Sequence, residues 1–210
     1  MEHVINYLIV CEYIGTAAFA ISGAITAIKH KLDLLGIVVI GSVTGIGGGI
    51  LRDEIISDSA PVAFVHLQYV AITILTSLLI YVFYLLKVKK KITWSITQTK
   101  IFDICDAIGL GIFAVNGTNA AMDGNTFTAI LMGVITAVGG GILRDILCGE
   151  TPRVFKEEIY ATAALVGSTC YYMMKIMGFN YVFASLVGMT LVVVIRLISK
   201  YNRWKLPGVN

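Results

Sequence analysis

Charge is scarce in this chain. Only 14% of its 210 residues are Asp, Glu, Lys or Arg, against about 25% in soluble globular domains, which excludes a domain facing water on all sides. Histidine is scarcer still: His3, His30 and His66 are scattered, none at helical spacing from another ligand-type side chain, so no dedicated histidine metal centre is expected. The four cysteines, Cys11, Cys105, Cys148 and Cys170, form no C-x-x-C pair and lie in apolar segments, and read as buried free thiols rather than a zinc or redox site. The start, MEHVINYLIV, lacks a basic n-region, and its apolar run is too long for a cleavable signal. There is no G-x-x-x-x-G-K-[ST] loop and no strand leading into G-x-G-x-x-G, so the glycines do not read as a nucleotide cradle. Without a nucleophile–base pair in an aqueous pocket, neither an enzyme nor a cofactor is expected, and no nucleic-acid partner.

What is present is apolar. Hydrophobic residues make up 57% of the chain, and its mean hydropathy is +0.84. A spanning helix needs about 20 predominantly apolar residues. Seven windows qualify, at residues 4–28, 34–57, 62–86, 101–121, 126–149, 157–175 and 179–198, separated by turn-like or basic stretches. The fold class predicted is an all-α integral membrane protein, a single multi-pass domain in the inner (plasma) membrane with membrane lipids as its surroundings. Basic residues accumulate on the cytoplasmic side. With the N-terminus outside, the inner segments hold Lys29, Lys31, Lys87, Lys89, Lys90, Lys91, Lys100, Arg144, Arg153, Lys156, Arg196, Lys200, Arg203 and Lys205. That is fourteen of the sixteen basic residues, leaving Arg52 and Lys175 outside. The orientation predicted is N-out and C-in.

GGGILRD occurs at residues 47–53 and again, letter for letter, at residues 139–145. A shift of 94 aligns Cys11–Glu12 with Cys105–Asp106 and Gly23 with Gly117; a shift of 92 aligns Gly41 with Gly133 and Thr44 with Thr136; a shift of 91 aligns Pro61 with Pro152 and Phe64 with Phe155. The repeat unit is therefore three helices, residues 4–86 and again 101–175, with a seventh helix at 179–198. A three-helix unit inserts upside down the second time, the inverted architecture in which functional sites form where the repeats meet.

A glycine triplet removes about 3 kcal/mol of helix preference, at about 1 kcal/mol per residue. Two outcomes are open. The helix can unwind and offer carbonyl oxygens to a monovalent cation, at Gly47 and Gly48 or at Gly139 and Gly140; or the glycines stay helical and admit a neighbouring backbone. The polar residues nearby, Ser42, Thr44 and Thr136, favour a lined path. Arg52, Asp53, Arg144 and Asp145 either snorkel to the headgroups or face an interior cavity. Depth in the bilayer suggests partners: Glu12 with Arg52 in the outer half, Asp106 with Arg144 in the inner half. Such layers could neutralise charge, form a gate, or respond to membrane potential at about 2.3 kcal/mol per charge per 100 mV.

The doubled GGGILRD, the three-plus-three inverted repeat and the appended helix together resemble the prokaryotic members of the trimeric intracellular cation (TRIC) channel family, and related bacterial sequences carry a glycine-transporter domain label. The resemblance covers residues 7–198. It implies a homotrimer with one ion pathway in each subunit, passing K⁺ foremost and Na⁺ also. It further implies that the second and fifth spans bend at Gly47–Gly49 and Gly139–Gly141, lining the pore together with the first and fourth, with Ser42, Thr44 and Thr136 as further lining residues. The alternative is a secondary transporter of a small solute such as glycine, whose zwitterion would suit the Arg–Asp pairs.

Overall fold

The computed structural model describes residues 2–57, 59–89, 95–156, 159–202 and 204, with side chains from residue 7 onward, and over 7–57, 59–88, 100–156, 159–202 and 204. Lys90, Lys91, Arg203 and Lys205 of the orientation argument lie outside the described residues, as do the side chains of His3 and Lys89. The chain runs through α1 (Glu2–Lys29), α2 (Leu34–Ile56), α3 (Val62–Val65), α4 (Gln68–Lys89), α5 (Ser95–Ala120), α6 (Thr126–Leu147), α7 (Arg153–Lys156), α8 (Ala161–Ile176) and α9 (Tyr181–Tyr201).

Side-chain caps set where two of the central helices begin. Asp33 accepts a hydrogen bond from the Gly36 amide at the start of α2, and Asn125 accepts from the Thr128 amide at the start of α6; each satisfies one of the amides that a helix start leaves unpaired. Among the described residues, six helices, α1, α2, α4, α5, α6 and α9, are long and apolar enough to cross a bilayer. The sixth expected span is shorter than the others: α8 has 16 residues, about 24 Å at 1.5 Å per residue, less than the roughly 30 Å of hydrocarbon. The expected third span is divided. α3 is a separate turn, and α4 begins only at Gln68. In the sixth window, Ile159 and Tyr160 precede α8 as a bend rather than as helix.

The packing of the central helices is reciprocal. Gly15 of α1 lies against Ile112 and Phe113 of α5, while Gly109 of α5 lies against Phe19 of α1, so α1 and α5 are antiparallel. The Phe19 and Phe113 rings stack 5.3 Å apart. α2 and α6 cross in the same manner. A Cβ on Gly48 would stand 2.2 Å from the Thr136 carbonyl oxygen, and one on Gly140 would stand 2.2 Å from the Thr44 carbonyl oxygen. The backbones touch where only hydrogen can fit between them.

This contact corrects the expectation of a broken helix. α2 is continuous α-helix from Leu34 to Ile56 and α6 from Thr126 to Leu147, through both triplets. The lost propensity is outweighed because, with the opposite backbone packed against it, a freed carbonyl would meet no water, and because close backbone approach yields dispersion contacts along the crossing. At Gly47, Gly48, Gly139 and Gly140 the backbone stays in the helices, with the opposite helix packed against them.

Candidate functional site: two arginine clusters and an open cavity

Each GGGILRD ends in a pair whose aspartate has two tasks. Asp53 Oδ1 accepts from Arg52 Nε at 2.7 Å, and Oδ2 accepts from the Val62 amide at 2.9 Å. Asp145 Oδ1 accepts from Arg144 Nε at 2.8 Å, and Oδ2 accepts from the Arg153 amide at 2.9 Å. One oxygen orients the guanidinium; the other anchors the short helix that follows, α3 or α7. The repeated Arg–Asp dipeptide thus ties the end of a long helix to the turn leading into the next.

The oriented guanidinium then reaches a carboxylate from another helix. Arg52 Nη1 lies 3.6 Å from Glu12 Oε1, and Arg144 Nη1 lies 2.8 Å from Asp106 Oδ1. Arg144 Nη1 also donates to Ser22 Oγ at 3.1 Å. Neither arginine snorkels: their side chains are 8% and 0% exposed. Because Ser22 lies in the later half of α1 and Glu12 in the earlier half, the two clusters occupy opposite ends of the bundle.

They are not equivalent. The Asp106–Arg144–Asp145 cluster is sealed, with Phe102 over Arg144 at 5.0 Å from the ring centroid and Tyr160 over Gly141. The Glu12–Arg52–Asp53 cluster is open. A narrow cavity on one side is lined by Thr16, Gly45, Gly49, Tyr69 and Phe113. A larger one of about 300 Å³ is lined by Leu8, Asn116, Asn119 and Ala120, and both share Glu12, Arg52 and Asp53. Breaking a buried ion pair by removing one partner costs about 3–5 kcal/mol, so both clusters are strongly held in place, the sealed one more so.

Among the residues expected to line a path, Gly49 reaches the narrow cavity. Ser42, Thr44 and Thr136 line neither. The Thr44 and Thr136 hydroxyls donate to carbonyls of their own helices, Ile40 and Met132, at 2.6 Å, and each is packed against a glycine, Gly23 or Gly117. Ser42 accepts from Thr73 of α4 at 3.0 Å. Sequence reasoning overlooked Tyr69, whose hydroxyl donates to Glu12 Oε2, and its counterpart Tyr160. The shift of 91 that aligns Pro61 with Pro152 also aligns these two tyrosines, and would have found them. Asn116 was overlooked for want of such a signal, since the shift of 94 places it opposite Ser22, a different residue type.

The helices, their apolar outer faces and the buried charge define a multi-pass inner membrane protein. The chain matches the family described as Glycine transporter over residues 9–85 and 103–176. It is 35% identical over 202 residues to the UPF0126 inner membrane protein YadS of Escherichia coli K12, covering 93% of both chains. To a UPF0126 membrane protein of Vibrio cholerae it is 37% identical over 198 residues, 91% of this chain and 78% of that one. Among solved structures it superimposes on a TRIC cation channel with TM-score 0.83 at 35% identity, over 96% of each chain. The TRIC orthologue from Rhodobacter sphaeroides gives 0.84 at 30% identity over 94% of this chain and 99% of that one. A prokaryotic TRIC channel crystallised in 0.5 M KCl gives 0.86 at 30% identity, over 96% and 100%. The chain belongs to the TRIC channel family. These relatives are described as membrane proteins and cation channels.

Proposed function

We propose that the protein is a passive channel for monovalent cations, K⁺ foremost and Na⁺ also, with one path in each subunit of a homotrimer. The observation that carries this reading is the open cluster inside a single subunit: two carboxylates, Glu12 and Asp53, against one guanidinium, Arg52, with cavities on two sides. Its formal excess of one negative charge favours a cation over an anion. A site with few oxygen donors suits an ion that must bind loosely enough to leave again. The TRIC cation channels that this chain resembles support the same reading.

In this proposal the chain has seven spans, N-out and C-in, arranged as two inverted three-helix repeats (residues 4–86 and 101–175) plus α9. The reciprocal contacts of Gly48 and Gly140 support the inversion. Glu12, Arg52 and Asp53 form the outer charge layer, and Asp106, Arg144 and Asp145 the inner one, closed in this conformation. Purified protein reconstituted into liposomes with a K⁺ gradient tests the reading: cation current without a coupled solute is expected, and its absence overturns it. The family description Glycine transporter favours a second reading, a carrier of that zwitterion. Saturable glycine uptake by the same liposomes, with no unitary cation currents in a planar bilayer, would establish the carrier instead.

A further inference from the structure

The two repeats line the approach to their arginines with different residues. Beside Arg52 the narrow cavity has about 30 Å³ of room, and Thr16, Gly45 and Ile46 are among its walls. A space of that size with polar groups around it holds water. The shift of 94 places Leu110 opposite Thr16, and the shift of 92 places Ala137 opposite Gly45 and Val138 opposite Ile46. Leu110 and Ala137 are fully buried and belong, with Val138 and Tyr160, to one apolar cluster. Where the first repeat has a hydroxyl and a bare glycine, the second has a leucine and an added methyl group.

Where the two halves meet, the packing is phenyl against phenyl. Phe113 is a wall of the narrow cavity, and it belongs with its counterpart Phe19 to the apolar cluster that contains Leu110. The rings stack with 16° between their planes, and a Cβ on Gly109 would stand 2.3 Å from the Phe19 ring. Phe19 follows Glu12, and Phe113 follows Asp106, by about 10 Å of helix at 1.5 Å per residue. On antiparallel helices the rings therefore stand midway between the carboxylates of the two clusters. Beside them, α2 and α6 touch backbone to backbone at Gly48 and Gly140. That crossing opens only if the helices separate, whereas a phenyl or leucine side chain moves by turning between rotamers.

We infer that Phe19, Phe113 and Leu110 form the barrier to permeation, a hydrophobic gate between the open cluster and the sealed one. An ion entering this layer would shed water and find no oxygen to replace it, and apolar constrictions of this kind close a path by dewetting. Leu110, standing where the other half has Thr16, keeps the second half dry. The inference deepens the channel reading and rests on it.

The test is K⁺ flux through the purified full chain in liposomes. Leu110→Thr gives the second repeat the residue of the first, and Phe113→Ser also puts a hydroxyl into the layer. Each should raise the flux by about tenfold or more, equal to 1.4 kcal/mol off the barrier. Phe127→Ser, at a phenyl 73% exposed on the outside of α6, should leave it unchanged. Should Phe113→Ser fail to fold, Leu110→Thr decides. Equal, measurable flux in the wild type and both gate variants, or the same rise in Phe127→Ser, overturns the gate and leaves the channel. Flux in the gate variants with none in the wild type keeps the barrier and overturns the channel reading. No flux in any of them overturns both.

Discussion

The Tyr69 hydroxyl donates to the Glu12 carboxylate. In the other half of the molecule the corresponding pair, Tyr160 and Asp106, is not joined. The Tyr160 hydroxyl and Asp106 Oδ2 are both buried without a hydrogen-bond partner among the described residues, as is Arg144 Nη2. Asp is one methylene shorter than Glu, and its carboxylate is already drawn to Arg144 at 2.8 Å.

Lengthening that side chain should complete the pair. Asp106→Glu is expected to satisfy the Tyr160 hydroxyl and one carboxylate oxygen, stabilising the fold by about 1–3 kcal/mol, the range for hydrogen bonds to charged groups and for relief of unsatisfied ones. Tyr160→Phe added to Asp106→Glu should cancel that gain, and in the wild type should cost little. A double-mutant cycle on unfolding in detergent reads the coupling; additive effects of the two substitutions would refute the account.

The triplet glycines divide by what a Cβ would strike. At Gly48 and Gly140 it meets a backbone carbonyl of the partner helix at 2.2 Å, which cannot move without separating α2 from α6. Gly48→Ala and Gly140→Ala should each destabilise by about 1–3 kcal/mol, the usual cost of overpacking, or more. At Gly49 the nearest atom is Arg52 Nη2 at 3.9 Å, and Gly49→Ala should be neutral or gain up to about 1 kcal/mol of helix preference. Gly141→Ala, whose Cβ would stand 2.8 Å from the Tyr160 hydroxyl, should behave unlike its counterpart and lower Tm. Equal melting temperatures for all four variants would contradict the packing role.

How far these details could be read in advance depended on the kind of force involved. Apolar windows located the long helices because hydrocarbon thickness is a constraint on length alone. Depth along opposed helices was enough to bring Glu12 to Arg52 and Asp106 to Arg144. Helix propensity misjudged the triplets, since Gly48 and Gly140 are held helical by a partner 92 residues away that no local rule sees. The second role of Asp53 and Asp145, anchoring the amides of Val62 and Arg153, was hidden for a similar reason: it needs the turn after the helix to fold back.

The two arginines should differ in their sensitivity to removal. Arg144→Gln removes the guanidinium that binds Asp106 and Asp145 directly in a cluster closed to water, and about 3–5 kcal/mol of destabilisation is expected. Arg52→Gln leaves Glu12 beside an open cavity with its side chain 20% exposed, where water can solvate it, so the loss should be smaller. Expression and Tm of the two variants in detergent would check the order; an equal or greater loss for Arg52→Gln would contradict the sealed-versus-open distinction.

Beyond the spans, Glu150 accepts from Lys29 at 3.1 Å and meets His30 Nε2 at 2.8 Å, joining the turn after α1 to the turn after α6. Burial alone would raise the Glu150 carboxyl, but the hydrogen bonds from His30 and Lys29 outweigh it and hold the group below its ordinary value. A carboxylate whose folded pKa is depressed stabilises the fold above its unfolded pKa, about 4.3, and that contribution disappears as pH falls through the lower folded value. The wild type should therefore unfold at a higher temperature than Glu150→Gln near neutral pH, by a margin worth less than about 1 kcal/mol because the tie is partly solvated. Melting curves from pH 6 to about pH 3, below the unfolded pKa, should converge. A gap that persists or widens in acid would mean that Glu150 acts through packing and not through its charge.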